Sequence, residues 1–172
     1  MTTIAIYCII EPAQIVRSVC DMIIDVLKMK QEGLSSAEYN FDYDAPNDLI
    51  ISLPNAQFKG AVKVNAYVEL DGKDVYAEVS LDYVITGDCS RCLESATASI
   101  HHEYSAKYCL FEDEDCYVYK SGKVDLTSSV NEAIIVSQPT VVYCREDCKG
   151  LCHICGANLN EVDCGHGFNG HN

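Results

Sequence analysis

The amino-acid sequence predicts an α+β protein: an antiparallel β-sheet meander with a few packed helices and a C-terminal zinc-ribbon-like tail. Apolar and polar residues alternate over Phe58–Leu70 and Val75–Ile85, which is the pattern of strands with one buried face. Asp71-Gly72 between the two runs is a strong signal for a tight hairpin turn. Residues 144–172 lose this periodicity and are rich in Cys, Gly and Asn, which predicts a separate tail.

The first of three predicted segments spans residues 1–57. It begins with a short strand over Thr3–Ile10 and continues with a helix over Ala13–Lys30. The apolar residues of this helix recur at helical spacing: Ile15, Val16, Val19, Ile23, Val26 and Leu27. Gly33 is a plausible end signal, and a further strand is predicted at Glu38–Tyr43.

The second predicted segment, residues 58–143, contains the sheet and one short helix. After the hairpin, Ala96–Leu110 resembles a third strand, so an antiparallel meander is the favoured arrangement. Asp125 is a good N-cap for a helix that runs to Val136. The third segment is the Cys-rich tail, residues 144–172.

Charge restricts the classes of partner. The 172 residues include 12 Lys+Arg and 26 Asp+Glu, which gives a formal charge of −14, and 48% of the residues are apolar. The apolar content argues against wholesale disorder. The negative charge argues against a protein that grips phosphate backbones, because that binding needs lysine and arginine to displace counterions. A macromolecular partner is therefore expected to be a basic protein.

The 11 cysteines raise the question of compartment. The sequence starts without a basic n-region and its first apolar run is short, so it does not resemble a signal peptide, and a reducing cytoplasm is expected. An odd number of cysteines also fits a fully paired scaffold badly. Four isolated cysteines are predicted to be small hydrophobic residues: Cys8, Cys20, Cys109 and Cys116.

The other seven cysteines are spaced as metal ligands. Zinc takes four sulfur or imidazole ligands in a tetrahedron, and a Cys-x2-Cys loop can place two sulfurs on one ion. The candidate ligands are Cys89, Cys92, Cys144, Cys148, Cys152, Cys155, Cys164 and His166. A structural zinc would also supply folding energy to a tail that has little hydrophobic pattern.

Two groupings of these ligands are compatible with the sequence. One is a self-contained tail site with Cys144 and His166 as spares, made of Cys148, Cys152, Cys155 and Cys164. In the other, the pairs 89/92 and 152/155 form the two knuckles of one ribbon and pin the tail to the sheet. Two separate ions would give the 89/92 pair a site of its own.

The run from Cys144 to Asn160, CREDCKGLCHICGANLN, resembles the C-terminal signature of the YceD (DUF177) family. Three further features agree in order: Phe58-Lys-Gly60, Cys89-Ser-Arg-Cys-Leu93 and Val124-Asp-Leu126. The resemblance covers residues 58–166. His166 stands where a cysteine would end the family pattern, and histidine is also a zinc ligand.

The resemblance implies a protein needed for accumulation of large-subunit ribosomal RNA, in a family for which no enzymatic activity is established. The expected function is a non-enzymatic accessory factor in large ribosomal subunit biogenesis that binds a ribosomal protein or an assembly factor. The net charge opposes direct contact with ribosomal RNA unless Arg91, Arg145 and Lys149 form a local patch. No membrane or small-molecule partner is evident.

Two alternatives remain open from the sequence. One is a thiol- or zinc-dependent enzyme, a redox protein or a hydrolase, that uses Cys89 and Cys92. The other is a zinc-sensing module, which predicts weak and reversible binding.

Overall fold

A computed structural model describes residues 22–111 and 114–166. In this part of the chain the elements are β1 (Ile23–Asp25), α1 (Val26–Gln31), β2 (Ser36–Tyr43), a 3-10 turn (Asn47–Leu49), β3 (Gln57–Phe58), β4 (Val62–Asp71), β5 (Asp74–Asp88), β6 (Ser95–Cys109), β7 (Tyr117–Val118), β8 (Lys123–Asp125) and α2 (Thr127–Ser137). Strands and helices are mixed and the sheet is almost entirely antiparallel, so the α+β prediction is confirmed.

Within the described residues, six strands form the main sheet. Its order is β2-β4-β5-β6-β7, and β3 pairs with the end of β5, on the same edge as β4 and beyond the stretch that β4 covers. All neighbours are antiparallel except β6 and β7, which are parallel. The predicted hairpin joins β4 to β5, and its Gly72 has a φ of 62°, a conformation that glycine adopts without a Cβ penalty. The division into three segments at residues 57 and 143 stays a prediction.

The two faces of the sheet differ in polarity because side chains alternate along each strand. On β4 the residues Val62, Val64, Ala66 and Val68 are buried, while the residues between them are exposed. Helix α2 packs on the buried face through Val130 and Ile134. One face of the sheet therefore carries the core.

The end of α2 directs the chain back towards the end of β5. Gln138, the C-cap residue that follows the helix, accepts a hydrogen bond from the backbone N–H of Ile51 at 3.0 Å. Further along, Ser90 and Val142 are joined by two bonds, from the Ser90 N–H to the Val142 carbonyl at 2.8 Å and from the Val142 N–H to the Ser90 hydroxyl at 3.1 Å. These bonds place the start of the tail beside the Cys89–Cys92 loop.

The N-terminal helix prediction is wrong for residues 23–25, which form a strand, and right for residues 26–30, which are helical. Residues 13–21 and the predicted strand Thr3–Ile10 lie outside the described residues. Ile23–Asp25 form strand β1 because they pair with β8, and Ile24 is fully buried in that pairing. The helix begins only at Val26, where the Asp25 side chain accepts the N–H of Lys28 at 2.9 Å. Leu27, on the predicted apolar stripe, is exposed.

The predicted α2 boundary is nearly right. The residue that caps the helix is Leu126 rather than Asp125, and the helix ends at Ser137 rather than Val136. The Asp125 carboxylate nevertheless accepts the N–H of Thr127 at 2.9 Å, so it still satisfies a donor of the first turn. No helix in the described part of the chain is long and apolar enough to span a bilayer.

The prediction that Cys109 and Cys116 are isolated small residues is wrong, because the two form a disulfide. Strand β7 pairs in parallel with the end of β6, and just beyond it the Tyr119 N–H donates to the Cys109 carbonyl at 2.9 Å. This parallel pairing brings the two cysteines to a Cα–Cα distance of 6.0 Å. Cys8 and Cys20 lie outside the described residues.

Candidate metal centres

The first cysteine cluster joins the sheet to the tail. Cys89 and Cys92 lie in the turn between β5 and β6, and Cys144 and Cys148 lie in the tail segment that hydrogen-bonds to that turn. The Cys89 and Cys148 sulfurs are 3.8 Å apart, and those of Cys92 and Cys144 are 3.5 Å apart. All four Sγ atoms lie within 4.8 Å of one another, and only Cys144 is exposed. We call this set the sheet–tail centre.

The second cluster lies within the tail and consists of Cys152, Cys155, Cys164 and His166, whose ligand atoms also lie within 4.8 Å of one another. The Cys152 sulfur is 3.9 Å from Nδ1 of His166. Gly156, with a φ of 74°, lets its N–H turn back to the Cys152 carbonyl at 2.8 Å, which closes the loop around Cys155. Only Cys152 is buried in this set. We call it the tail centre.

The structure brings together all eight residues that the sequence singled out, but in a division that coincides with neither predicted grouping. Cys148 leaves the tail set and joins Cys144 beside the 89/92 pair, and His166 takes the fourth place in the tail set. The reason is the backbone path: the Arg91 carbonyl accepts the N–H of Leu151 at 3.0 Å, which sets the residues before 151 against the sheet.

Backbone N–H groups approach the sulfurs in a regular way. In five cases the N–H of the second residue after a cysteine hydrogen-bonds to its sulfur and favours a lower pKa, although burial and neighbouring sulfurs leave the pKa of Cys92 and of Cys164 raised overall. These pairs are Arg91 on Cys89, Glu94 on Cys92, Gly150 on Cys148, Ile154 on Cys152 and His166 on Cys164. Such donors stabilise a thiolate, which is the form that binds metal.

The net pKa shifts differ within each centre. Burial raises the pKa of Cys89, but the N–H of Arg91 and other donors outweigh it and lower that pKa to about 6. The N–H groups of Cys155 and Ile154 lower the pKa of Cys152 to about 6. Burial, followed by the neighbouring sulfurs, raises the pKa of Cys144 to about 12. Several thiols crowded together cannot all ionise without a cation, so both donor sets fit a divalent metal ion.

Arg91 connects the sheet–tail centre to its surroundings. Its guanidinium donates to the Cys148 carbonyl at 3.0 Å and lies 4.3 Å from the centre of the Tyr143 ring. Arg145 forms an ion pair with Asp147 at 3.6 Å. Two of the three cations in the predicted basic patch are therefore engaged within the protein.

Two residues of the site were missed from the sequence. Gly150 has a φ of 76°, and a Cβ there would lie 3.0 Å from the Arg91 carbonyl oxygen. Asn160 donates from Nδ2 to the Cys148 sulfur at 3.4 Å. A glycine two residues after a cysteine and an asparagine close to a Cys-x2-Cys pair were the available signals.

Comparison with known proteins identifies the family. Residues 77–171, more than half of the chain, match the family described as large ribosomal RNA subunit accumulation protein YceD. A curated relative from Mycobacterium leprae (strain TN), described as an uncharacterized protein, is 27% identical over 113 residues, which is 61% of this chain and 52% of that protein. This chain thus spans about half the length of that relative. No solved structure matches this chain. The predicted resemblance is confirmed from residue 77 onwards, and the chain belongs to the YceD family.

Proposed function

We propose that this protein is a non-enzymatic accessory factor in the biogenesis of the large ribosomal subunit. The observation that carries the proposal is the family match over residues 77–171, since the family description names accumulation of the large ribosomal RNA subunit. The protein would act by binding a basic ribosomal protein or an assembly factor, while its cysteine centres hold the tail in shape.

We further propose that each centre holds one structural zinc ion. The sheet–tail centre would bind it through Cys89, Cys92, Cys144 and Cys148, and the tail centre through Cys152, Cys155, Cys164 and His166. The mutual distances and the backbone donors to the sulfurs support this assignment. Four protein ligands on each ion leave no open position, which is the arrangement of structural rather than catalytic zinc.

Charge supports a basic protein as the partner. The face of the sheet opposite the core, which we call the outer sheet face, exposes the outward residues of β2, β4, β5 and β6. Its carboxylates include Glu38, Asp42, Glu69, Glu78, Asp82 and Glu103. Lys63 and Lys107 are paired with Asp42 and Asp74. Tyr67 and Tyr76 add exposed aromatic surface. An acidic, partly aromatic face suits a cationic protein surface and repels phosphate.

Burial of the first cysteine pair argues against the enzyme alternative. Cys89 is fully buried and Cys92 is 3% exposed. Strand β6 follows the pair, where a thioredoxin-like redox motif needs a helix. A thiol that attacks a substrate must be accessible, whereas a thiolate in a closed metal site need not be.

The partner proposal is tested by capture with the full chain from extracts of the source cells. We expect the bait to recover a basic large-subunit protein or an assembly factor. Charge reversal on the outer sheet face, in the triple variant Glu38→Lys, Glu69→Lys and Glu78→Lys, should lower recovery at least tenfold. The matched control is the triple variant Asp44→Lys, Asp48→Lys and Glu161→Lys, which changes the net charge by the same amount at positions outside the sheet.

Mass spectrometry and RNA sequencing of the captured material measure the outcome. Loss of recovery in the outer-face variant, with retention in the control, would support a protein partner at that face. Equal recovery by both variants would overturn that face as the contact. Recovery of ribosomal RNA without protein, in a form that ribonuclease abolishes, would overturn the protein partner altogether.

A further inference from the structure

One side chain of the tail reaches from the segment of one centre to a sulfur of the other. Asn160 lies between Cys155 and Cys164, two residues of the tail centre, yet its Nδ2 donates to the sulfur of Cys148 in the sheet–tail centre at 3.4 Å. Its Oδ1 accepts the backbone N–H of Lys149 at 2.8 Å. The side-chain amide of Asn160 therefore contacts both Cys148, a residue of the sheet–tail centre, and Lys149, the residue that follows it.

The backbone around Asn160 holds it in this position. Residues 157–159 run antiparallel to residues 150–152: the Leu159 N–H donates to the Gly150 carbonyl at 2.9 Å and the Cys152 N–H to the Ala157 carbonyl at 2.8 Å. Asn158 accepts both the N–H of Asn160 at 3.1 Å and its Nδ2 at 2.8 Å. The side-chain amide of Asn160 is thus oriented by two partners other than the sulfur, the Lys149 N–H and the Asn158 Oδ1, and its backbone N–H is held by the same Asn158 oxygen.

A neutral N–H that donates to a metal-bound thiolate draws charge from the sulfur and fixes the orientation of the ligand. Because Asn160 is carried by the loop that Cys155 and Cys164 close, a metal in the tail centre would order that loop. We propose that Asn160 is a positioning residue of the sheet–tail centre and that it couples the retention of metal there to occupation of the tail centre. This inference rests on the two proposed metal centres.

The experiment replaces zinc with cadmium-113 and records its nuclear resonance in the full chain. Wild type should show two resonances, one for a four-sulfur site and one for a site with three sulfurs and one nitrogen. Asn160→Asp keeps the acceptor for the Lys149 N–H but replaces the donor to Cys148 with a carboxylate oxygen. We expect the four-sulfur resonance to shift and zinc loss from the sheet–tail centre to accelerate at least tenfold in a chelator competition.

Asn158→Asp is the matched control. It adds the same charge two residues away and keeps the Oδ1 acceptor for Asn160, so it should leave the four-sulfur resonance in place. Equal effects of the two variants, or a shift of the mixed-ligand resonance alone, would overturn the role of Asn160. Absence of both resonances in wild type would instead overturn the metal centres themselves.

Discussion

The two cysteine centres are built from different kinds of contact. The paired sulfurs of the sheet–tail centre come from residues 52 and 59 positions apart, and three of its four cysteines are buried. In the tail centre, the Cys152 and His166 atoms that approach each other are 14 positions apart, and one of four residues is buried. The first centre thus depends on the tertiary fold, while the second depends on local turns.

The two centres should differ in how much they stabilise the fold, and burial should matter more to this difference than chain separation. Loop closure costs about 0.6 kcal/mol for each doubling of length, so two doublings between these separations amount to roughly 1.2 kcal/mol. Removing one partner from a buried set costs more, because the remaining polar groups lose their compensation away from water. The sheet–tail centre should therefore dominate the folding of the tail onto the sheet.

The largest effect is expected from a ligand of the sheet–tail centre. Cys148→Ser should remove one zinc ion and lower the free energy of unfolding by about 3 kcal/mol or more, part of the ~10–16 kcal/mol with which structural zinc binds. Cys155→Ser, the matched change in the tail centre, should also remove one ion but lower the free energy of unfolding less, because it reaches the sheet–tail centre only through Asn160. Native mass spectrometry counts the ions, and circular dichroism follows unfolding. Equal losses of stability would contradict the comparison.

A chelator should remove the two ions in order. The exposed tail centre should lose zinc first, at least about tenfold faster, which corresponds to about 1.4 kcal/mol in the barrier. Alkylation during the titration should then label Cys155 and Cys164 before Cys89 and Cys148. Peptide mass spectrometry identifies the labelled thiols. Simultaneous release, without a one-zinc species, would mean that the centres form a single unit.

Two glycines provide a smaller and more local comparison. Gly150 and Gly156 both have positive φ, 76° and 74°, so alanine is strained at each. At Gly150 a Cβ would also lie 3.0 Å from the Arg91 carbonyl oxygen, whereas at Gly156 nothing lies within 4 Å. Gly150→Ala should cost about 1–2 kcal/mol more than the roughly 1–2 kcal/mol expected for Gly156→Ala. Denaturant unfolding of the metal-loaded protein measures both, and equal costs would show that the Arg91 carbonyl can move aside.

The parts of the fold that could be predicted from the sequence depend on local contacts, and the parts that could not depend on tertiary contacts. The β4–β5 hairpin was predictable because alternation and Asp71-Gly72 lie within one short stretch. The assignment of β1 was not, because residues 23–25 become a strand only by pairing with β8, far along the chain. The helical periodicity of the apolar residues gives no information about that pairing.

The candidate ligands show the same limit. Their identities could be read from cysteine spacing, since Cys-x2-Cys loops are local. The assignment of ligands to the two centres could not be predicted. Cys148 lies in the sheet–tail centre because of hydrogen bonds between residues far apart in the chain, such as Ser90 and Val142, 52 positions apart. The disulfide between Cys109 and Cys116 likewise depends on the pairing of β7 with β6.

The smallest effect is expected from the contact between Arg91 and Tyr143, which lies beside the sheet–tail centre. The Arg91 guanidinium lies 4.3 Å from the centre of the Tyr143 ring, and such contacts are worth about 0.5–1 kcal/mol at exposed sites. Tyr143→Leu should lower the unfolding free energy by about that amount and speed zinc release from the sheet–tail centre slightly. Tyr143→Phe keeps the aromatic face and should resemble wild type. If phenylalanine and leucine are equally destabilising, the ring contributes by its size or its hydroxyl and not by its attraction for the cation.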